Sequence, residues 1–370
     1  MMVSKGDNKN NGRNIVTDAL KSLAFPFFSI IVSLFVAVFF VMWAKEYSIT
    51  EYFTALSDLI TVIVNGSFGD PAKTLETMVF VTPLIFTGVA HAIAFKCGLF
   101  NIGVEGQFTL GLICAAIVGL IPGLSPWIHV PLIILSGIVG GGIWAGIPGY
   151  LKAKFGTNEV INTIMMNYIS INVVNIIVLR TPIGVASKAS TPTIQESAQF
   201  LKFSTISRAN IGLIFAVICA LLIYWLLWKT TVGYEIRAVG INAFGAEYGG
   251  INIARNTILT MVLSGAIAGI GGASHLAGVM YSSTDLMGFI GYGFDGIAVA
   301  LLAKSNPIGC IPAAILFGAL NSSSRMLQLN SIPKEIVYLI QSIVIIFVAT
   351  DYIVKYFENK RRKKGAIVNG

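Results

Sequence analysis

Charge is what this chain has least of. Only 11% of its 370 residues are Asp, Glu, Lys or Arg, against about a quarter in an ordinary soluble domain. With 55% hydrophobic residues and a mean hydropathy of +0.79, the polar side chains cannot cover a water-soluble globule. Most of the surface must face lipid. Catalytic vocabulary is missing too. No G-x-x-x-x-G-K-[ST] loop is present to hold ATP phosphates. The three histidines (His91, His129, His275) match no H-E-x-x-H pattern, and there is no G-x-S-x-G elbow. The four cysteines (Cys97, Cys114, Cys219, Cys310) show no C-x-x-C spacing. They read as small buried residues, and neither a disulfide framework nor a metal site is indicated.

The net charge of +8 carries no basic, aromatic-interleaved face of the kind nucleic acid requires. The basic residues lie between apolar runs and in the tail "KYFENKRRKK". No small-residue cleavage site follows "FFVMWAKE", so residues 23–43 are expected to be a retained helix and not a removed signal.

A spanning helix needs about twenty predominantly apolar residues. That rule predicts ten spans: 23–43, 78–96, 100–121, 127–150, 159–179, 210–228, 257–280, 291–303, 308–324 and 335–354, the eighth and ninth running together around "AKSNPIG". The expected fold class is an all-α polytopic membrane protein of about ten transmembrane helices. With the N-terminus inside, 17 of the 25 basic residues fall on the inner side, among them Lys96, Lys152, Lys154, Arg237, Arg255 and the "KRRKK" run. The excess places both termini in the cytoplasm. The organisation is then a cytoplasmic segment 1–22, a membrane domain 23–354 with outer loops 44–77 and 180–209 and an inner region 229–256, and a basic cytoplasmic tail 355–370.

Glycine is abundant, as in "GIVGGGIWAGIPG" and "SGAIAGIGGA". Small residues three or four apart let helix backbones approach closely in a bilayer. Against this apolar background stand polar groups at membrane depth: Asn101, Glu105 and Gln107, then Glu159, Asn162, Asn167 and Asn172, then Asp295. Ionisable groups there face a cavity or a partner; amides also lock helices together by hydrogen bonding. Residues 103–106 read Gly-Val-Glu-Gly and residues 293–296 read Gly-Phe-Asp-Gly, five spans apart. An odd offset is what inverted-topology repeats produce, here helices 2–5 and 7–10. On that reading Glu105 lies near the inner mouth of a pathway and Asp295 near the outer one.

Four phrases in order, "GLFNIGVEGQFTLG", "TNEVINTIMMNYI", "GYEIRAVGINAFGAEYGGIN" and "GYGFDGIAVALLAKSNPIG", resemble the permease subunits of bacterial ABC importers for nucleosides and simple sugars, relatives of the ribose and branched-chain amino acid permeases. The extended first outer loop and "GLFNIGVEGQ" are more similar to the nucleoside-type branch; Gly245 departs from an expected alanine. The resemblance implies a type II-like importer permease of the bacterial cytoplasmic membrane that binds no cofactor itself. ATP and Mg would be used by a separate ATPase with fused nucleotide-binding halves. A lipid-anchored or periplasmic binding protein would deliver the nucleoside. A second homologous permease chain would complete the pore, as heterodimer or homodimer.

The resemblance also assigns ATPase coupling to Glu235, Arg237, Ala238, Gly240 and Asn242. A neutral nucleoside needs amides and aromatics along its path, which nominates Asn101, Gln107, Asn162 and Asn167 with Phe100 or Tyr168 to stack on a base, beside Glu105 and Asp295. The alternatives are a sugar permease of the same fold and a proton-coupled carrier using Glu105 and Asp295.

Overall fold

The computed structural model describes residues 10–347. The basic tail 355–370 and the end of the tenth expected span lie outside them. Each of the ten expected spans coincides with a helix: α1 (Asn10–Lys45), α3 (Pro71–Lys96), α4 (Val104–Gly119), α5 (Pro126–Phe155), α6 (Glu159–Arg180), α7 (Gly212–Lys229), α10 (Ile253–His275, continued by a π-helical turn Leu276–Met280), α11 (Tyr292–Leu302), α12 (Cys310–Leu329) and α13 (Glu335–Phe347). Six of them, α1, α3, α5, α6, α7 and α10, are long and apolar enough to cross a membrane; α4, α11 and α13 are shorter. No β-strand occurs among the described residues.

Expected boundaries shift at several places, with α1 already helical from Asn10 where the span was expected from 23; two of the shifts bear on the site. The segment 44–77, read as a loop, contains α2 (Tyr52–Phe68) and the first turns of α3. Asp58 interrupts its apolar run. The Asp70 side chain accepts from Lys73 N–H at 2.8 Å and Pro71 fills the first helical position, so α3 starts at a cap. That backbone hydrogen bond holds the Asp70 carboxyl below the ordinary carboxylate range. The cap therefore weakens as pH falls through the lowered value. The other shift is at "GLFNIG", where the third span starts at Val104 and not at 100, after an irregular stretch.

The chain divides into two compact units. One comprises Met1–Ile63 with Ser324–Gly370, the other Val64–Ser323. In the first, Tyr52 donates to the Phe35 carbonyl at 2.7 Å and packs on Phe39, while Tyr47 and Lys45 both reach Asp58, joining the start of α2 to the end of α1.

The second unit is built around α10. Helix α5 crosses it antiparallel through glycine. A Cβ on Gly141 would overlap the Gly265 carbonyl, and one on Gly269 would overlap the Gly137 carbonyl. Both pairs are spaced by four, the small-residue interface that lets backbones touch where lipid removes the hydrophobic drive. Helices α3 and α4 also pack on α10, and α11 packs on α3. With α3 equivalent to α10 and α4 to α11, the α4–α10 contact corresponds to the α11–α3 contact, which is the crossed pairing a two-fold exchange generates.

Candidate functional site: the junction of two helix starts

The Glu105 carboxylate is fully buried and belongs to its neighbour's backbone. Oε1 accepts from Gly291 N–H at 2.7 Å and Oε2 from Gly293 N–H at 2.6 Å. These amides belong to the first turn of α11, whose N-terminal donors have no partner within the helix. Glu105 therefore serves as an N-cap supplied by another helix, placed where the helix dipole favours an acceptor. Gly293 must be glycine, because a Cβ there would overlap the Glu105 backbone. His91 completes the clasp by donating from Nε2 to the Gly293 carbonyl at 2.8 Å.

This geometry corrects the placement of the two acids at opposite mouths. Asp295 N–H bonds the Gly291 carbonyl at 3.0 Å, so Asp295 sits in the very turn that Glu105 caps. The starts of α4 and α11 abut, and the repeat brings the motifs together where linear counting had put a membrane between them. The Asp295 carboxylate accepts from Asn321 Nδ2 at 3.1 Å on α12.

The amides form a second layer. Asn101 and Gln107 pair reciprocally at 3.0 Å, and Asn101 also donates to Ser264 Oγ at 2.9 Å on α10. Ser264 in turn donates to the Ala90 carbonyl of α3. From α6, Asn167 accepts from Gly106 N–H at 2.8 Å and donates to the Ile102 carbonyl at 3.0 Å. Asn101, Gln107 and Asn167 are buried and spend their capacity within the chain, so they act here as locks on the broken backbone 98–103 and not as an open wall. Asn162 is half-buried and donates to Thr157 Oγ1. Glu159 pairs with Lys152 at 2.8 Å, and Asn172 bonds its own helix at the Tyr168 carbonyl.

Aromatic side chains lie on the accessible side of the junction. Tyr168 is 54% exposed and meets Phe289 edge-on at 5.0 Å; Phe289 meets Phe294 at 5.2 Å. Phe100 is partly exposed and stacks on Phe95 at 5.3 Å. Phe289 and Phe294 were not singled out from the sequence, where they looked like ordinary apolar residues. Phe294 sits between the clasped Gly293 and Asp295, so the buried clasp fixes its position.

The region 229–256 forms two helices, α8 (Thr231–Ile241) and α9 (Ala243–Tyr248). The Thr230 side chain caps α8 through Gly233 N–H, and the Asn242 side chain caps α9 through Gly245 N–H. Arg237 donates to the Leu227 carbonyl at 2.9 Å and lies over the Trp228 ring, and Glu235 accepts from Asn256 at 2.9 Å. Gly240 packs on the Lys96 carbonyl and against Gly98, which has φ +75°. Of the five residues assigned to coupling, these three bind α8 to the body, Asn242 sets the corner and Ala238 is half-buried. The residues that α8 and α9 present outward are Tyr234, Ile241 (86% exposed), Phe244 (83%) and Tyr248 (98%). Sequence reading had passed over all four.

A family model described as "Branched-chain amino acid transport system / permease component" matches residues 74–349. The guanosine ABC transporter permease protein NupP of Bacillus subtilis is 38% identical over 353 residues, 94% of this chain and 99% of that one. The nucleoside ABC transporter permease protein NupB of Lactococcus lactis is 37% identical over 300 residues, 78% of this chain and 82% of its own. A glucose ABC transporter permease protein of Haloferax volcanii is 29% identical over 299 residues, 76% and 77% respectively. Matched by the family model from α3 to the last described helix, the chain belongs to the branched-chain amino acid transport system / permease component family and is a multi-pass membrane permease, a transport subunit of the ABC type.

Proposed function

We propose that this permease forms the pathway of an ATP-driven nucleoside importer. The observation that carries the reading is the similarity to the guanosine permease along nearly the whole of both chains. The exposed Tyr168–Phe289–Phe294 cluster agrees with it, since a nucleobase stacks on aromatic faces while the neutral molecule needs no counter-charge. A pathway of this kind holds its cargo loosely. Phe100, Asn162 and Tyr168 stand on its accessible side, and Asn101, Glu105, Gln107, Asn167 and Asp295 support it from behind.

The basic-residue excess orients both termini and α8–α9 toward the cytoplasm of a bacterial inner membrane, with 180–209 outside. A separate ATPase with fused nucleotide-binding halves then docks on the aromatic face of α8–α9 and moves it as a rigid body. A substrate-binding protein delivers from the other side, and a second homologous permease completes the pore. Motion of α8 reaches the clasp through the Gly240–Gly98 contact and the 98–103 turn.

The deciding experiment reconstitutes the whole transporter in vesicles and measures labelled guanosine uptake with and without ATP, competed by uridine, ribose and glucose. ATP-dependent uptake competed by nucleosides is the expected result. Competition by glucose alone selects the sugar reading, which the Haloferax relative favours. Uptake without ATP under a pH gradient selects a proton-coupled carrier. Docking is tested separately by Phe244→Asp with Tyr248→Asp. Exposed aromatic anchors carry about 2 kcal/mol or more each at interfaces. We expect ATPase stimulation by substrate to fall at least tenfold with the permease still present in the membrane. Undiminished stimulation would remove this face as the docking surface.

A further inference from the structure

Where α10 ends, its last turn widens into the π-helix Leu276–Met280, followed by Tyr281 with φ +60°. Single π-turns inside helices gather at functional sites. Here the turn walls one side of a cavity of about 520 Å³, whose lining includes Phe80, Arg208, His275, Ser282, Thr284 and Tyr292. The size suits a small ligand. His275 is 9% exposed and its Nδ1 has no hydrogen-bond partner among the described residues. Buried polar atoms are ordinarily satisfied; this nitrogen has almost no accessible surface of its own, so a ligand in the cavity reaches it once the His275 ring turns about its side-chain torsions. The ring packs edge-on to Tyr292 at 5.1 Å, and both lie against Phe108.

Tyr292 is the residue between Gly291 and Gly293, the two amides held by Glu105. The clasp thus fixes this side of the cavity as firmly as it fixes Phe294. At the rim, Arg208 is half-exposed and paired with Glu76, so the one cation among the described lining residues is offset by a carboxylate. What remains is an aromatic slot with a donor-or-acceptor imidazole, a phenol and two hydroxyls. That combination fits a neutral, flat heterocycle with hydrogen-bonding edges.

We propose that this cavity is a nucleobase-binding subsite, separate from the Tyr168–Phe289–Phe294 face, in which His275 and Tyr292 read the edge of the base. The inference rests on the nucleoside reading above. Given the orientation argued there, the cavity lies beside segment 180–209 at the outer side, where cargo arrives. It acts as the first selectivity step within the permease itself, after delivery: a base that satisfies His275 enters, and a bare sugar does not gain from it.

The test measures initial uptake of labelled guanosine by the complete transporter carrying His275→Ala or Tyr292→Phe, with competition by uridine and ribose. The expected result is an increase in guanosine KM of about tenfold for His275→Ala, the loss of one hydrogen bond of about 1.4 kcal/mol. A smaller increase is expected for Tyr292→Phe, with maximal rate and ribose competition unchanged. Tyr292→Phe preserves packing, so it reports even where His275→Ala does not reach the membrane. Unchanged KM in Tyr292→Phe and in any assembled His275→Ala, in a transporter whose wild type carries nucleosides, overturns the subsite and leaves the nucleoside importer standing. An equal loss of rate for every substrate at unchanged KM also overturns it, since that marks structural damage. A wild type that carries no nucleoside removes both readings together.

Discussion

Gly269→Val is expected to abolish accumulation of the permease in the membrane, while Gly142→Ala on the facing helix leaves it near wild type. A Cβ on Gly269 would overlap the Gly137 carbonyl and come within 3.1 Å of the Gly141 Cα. These are backbone atoms, and no rotamer change relieves them. The α5–α10 crossing must open, and every close contact along it is lost together. Overpacking in a core costs roughly 1–3 kcal/mol where side chains can adjust; here they cannot, so the cost exceeds that range. A Cβ on Gly142 meets Val262 at 3.6 Å, an ordinary contact. The pair therefore separates close backbone approach from any general aversion to bulk in "GIVGGG". Immunoblots of membrane fractions and thermal unfolding in detergent read the result. Equal tolerance of both substitutions would mean that α5 and α10 do not cross as described.

Glu105→Ala is expected to reduce ATP-driven uptake by about a hundredfold. It removes both acceptors from the first turn of α11 and leaves the buried Gly293 N–H and the part-buried Gly291 N–H unpaired. Each loss costs on the order of 1–3 kcal/mol, and a shift near 3 kcal/mol in the working conformation corresponds to that factor. Glu105→Gln keeps one acceptor oxygen but turns an NH2 group toward the second amide. We expect it to lose about tenfold and to retain clear transport. The graded order, wild type above Gln above Ala, is the signature of a backbone clasp. A proton-coupled role predicts instead that Gln is as inactive as Ala, and uptake in Glu105→Ala equal to wild type would deny the clasp any part in function. Measuring ATPase activity alongside uptake distinguishes a lost clasp from a lost ATPase contact, because the docking face of α8–α9 is untouched.

Gly103, Glu105 and Gly106 show how far the chain could be read in advance. An acid between glycines at the head of an apolar run is conspicuous in one dimension, and its likeness to "GFDG" was visible five spans later. The partner was not visible. Glu105 bonds to residues 291 and 293, and the sequence holds no mark of that pairing, because backbone amides have no letter of their own. The same blindness hid the function of Asn101, Gln107 and Asn167. Their types suggested either a pathway wall or a lock, and only burial and reciprocal bonding separate the two. Phe289, Phe294, Phe244 and Tyr248 were overlooked for the opposite reason. In a chain this apolar an aromatic residue is unremarkable until exposure is known.

By itself the sequence determined the solvent, the helical class and the places of ten helices, six of them long and apolar enough to cross a membrane. Lipid offers no partner for backbone groups, so any run of sufficient apolar length must satisfy them internally as a helix. It also marked the glycine seams, since small residues at spacings of four have few other uses in a bilayer. The tertiary structure decided which helices the seams join, that the starts of α4 and α11 meet, which face of α8–α9 looks outward, and that His275 borders a cavity with a nitrogen to spare. Those facts depend on pairs of residues as much as 202 positions apart, such as His91 with Gly293, or 188 for Glu105 with Gly293. Hydropathy and spacing act within a single helix, and carry no information across that distance.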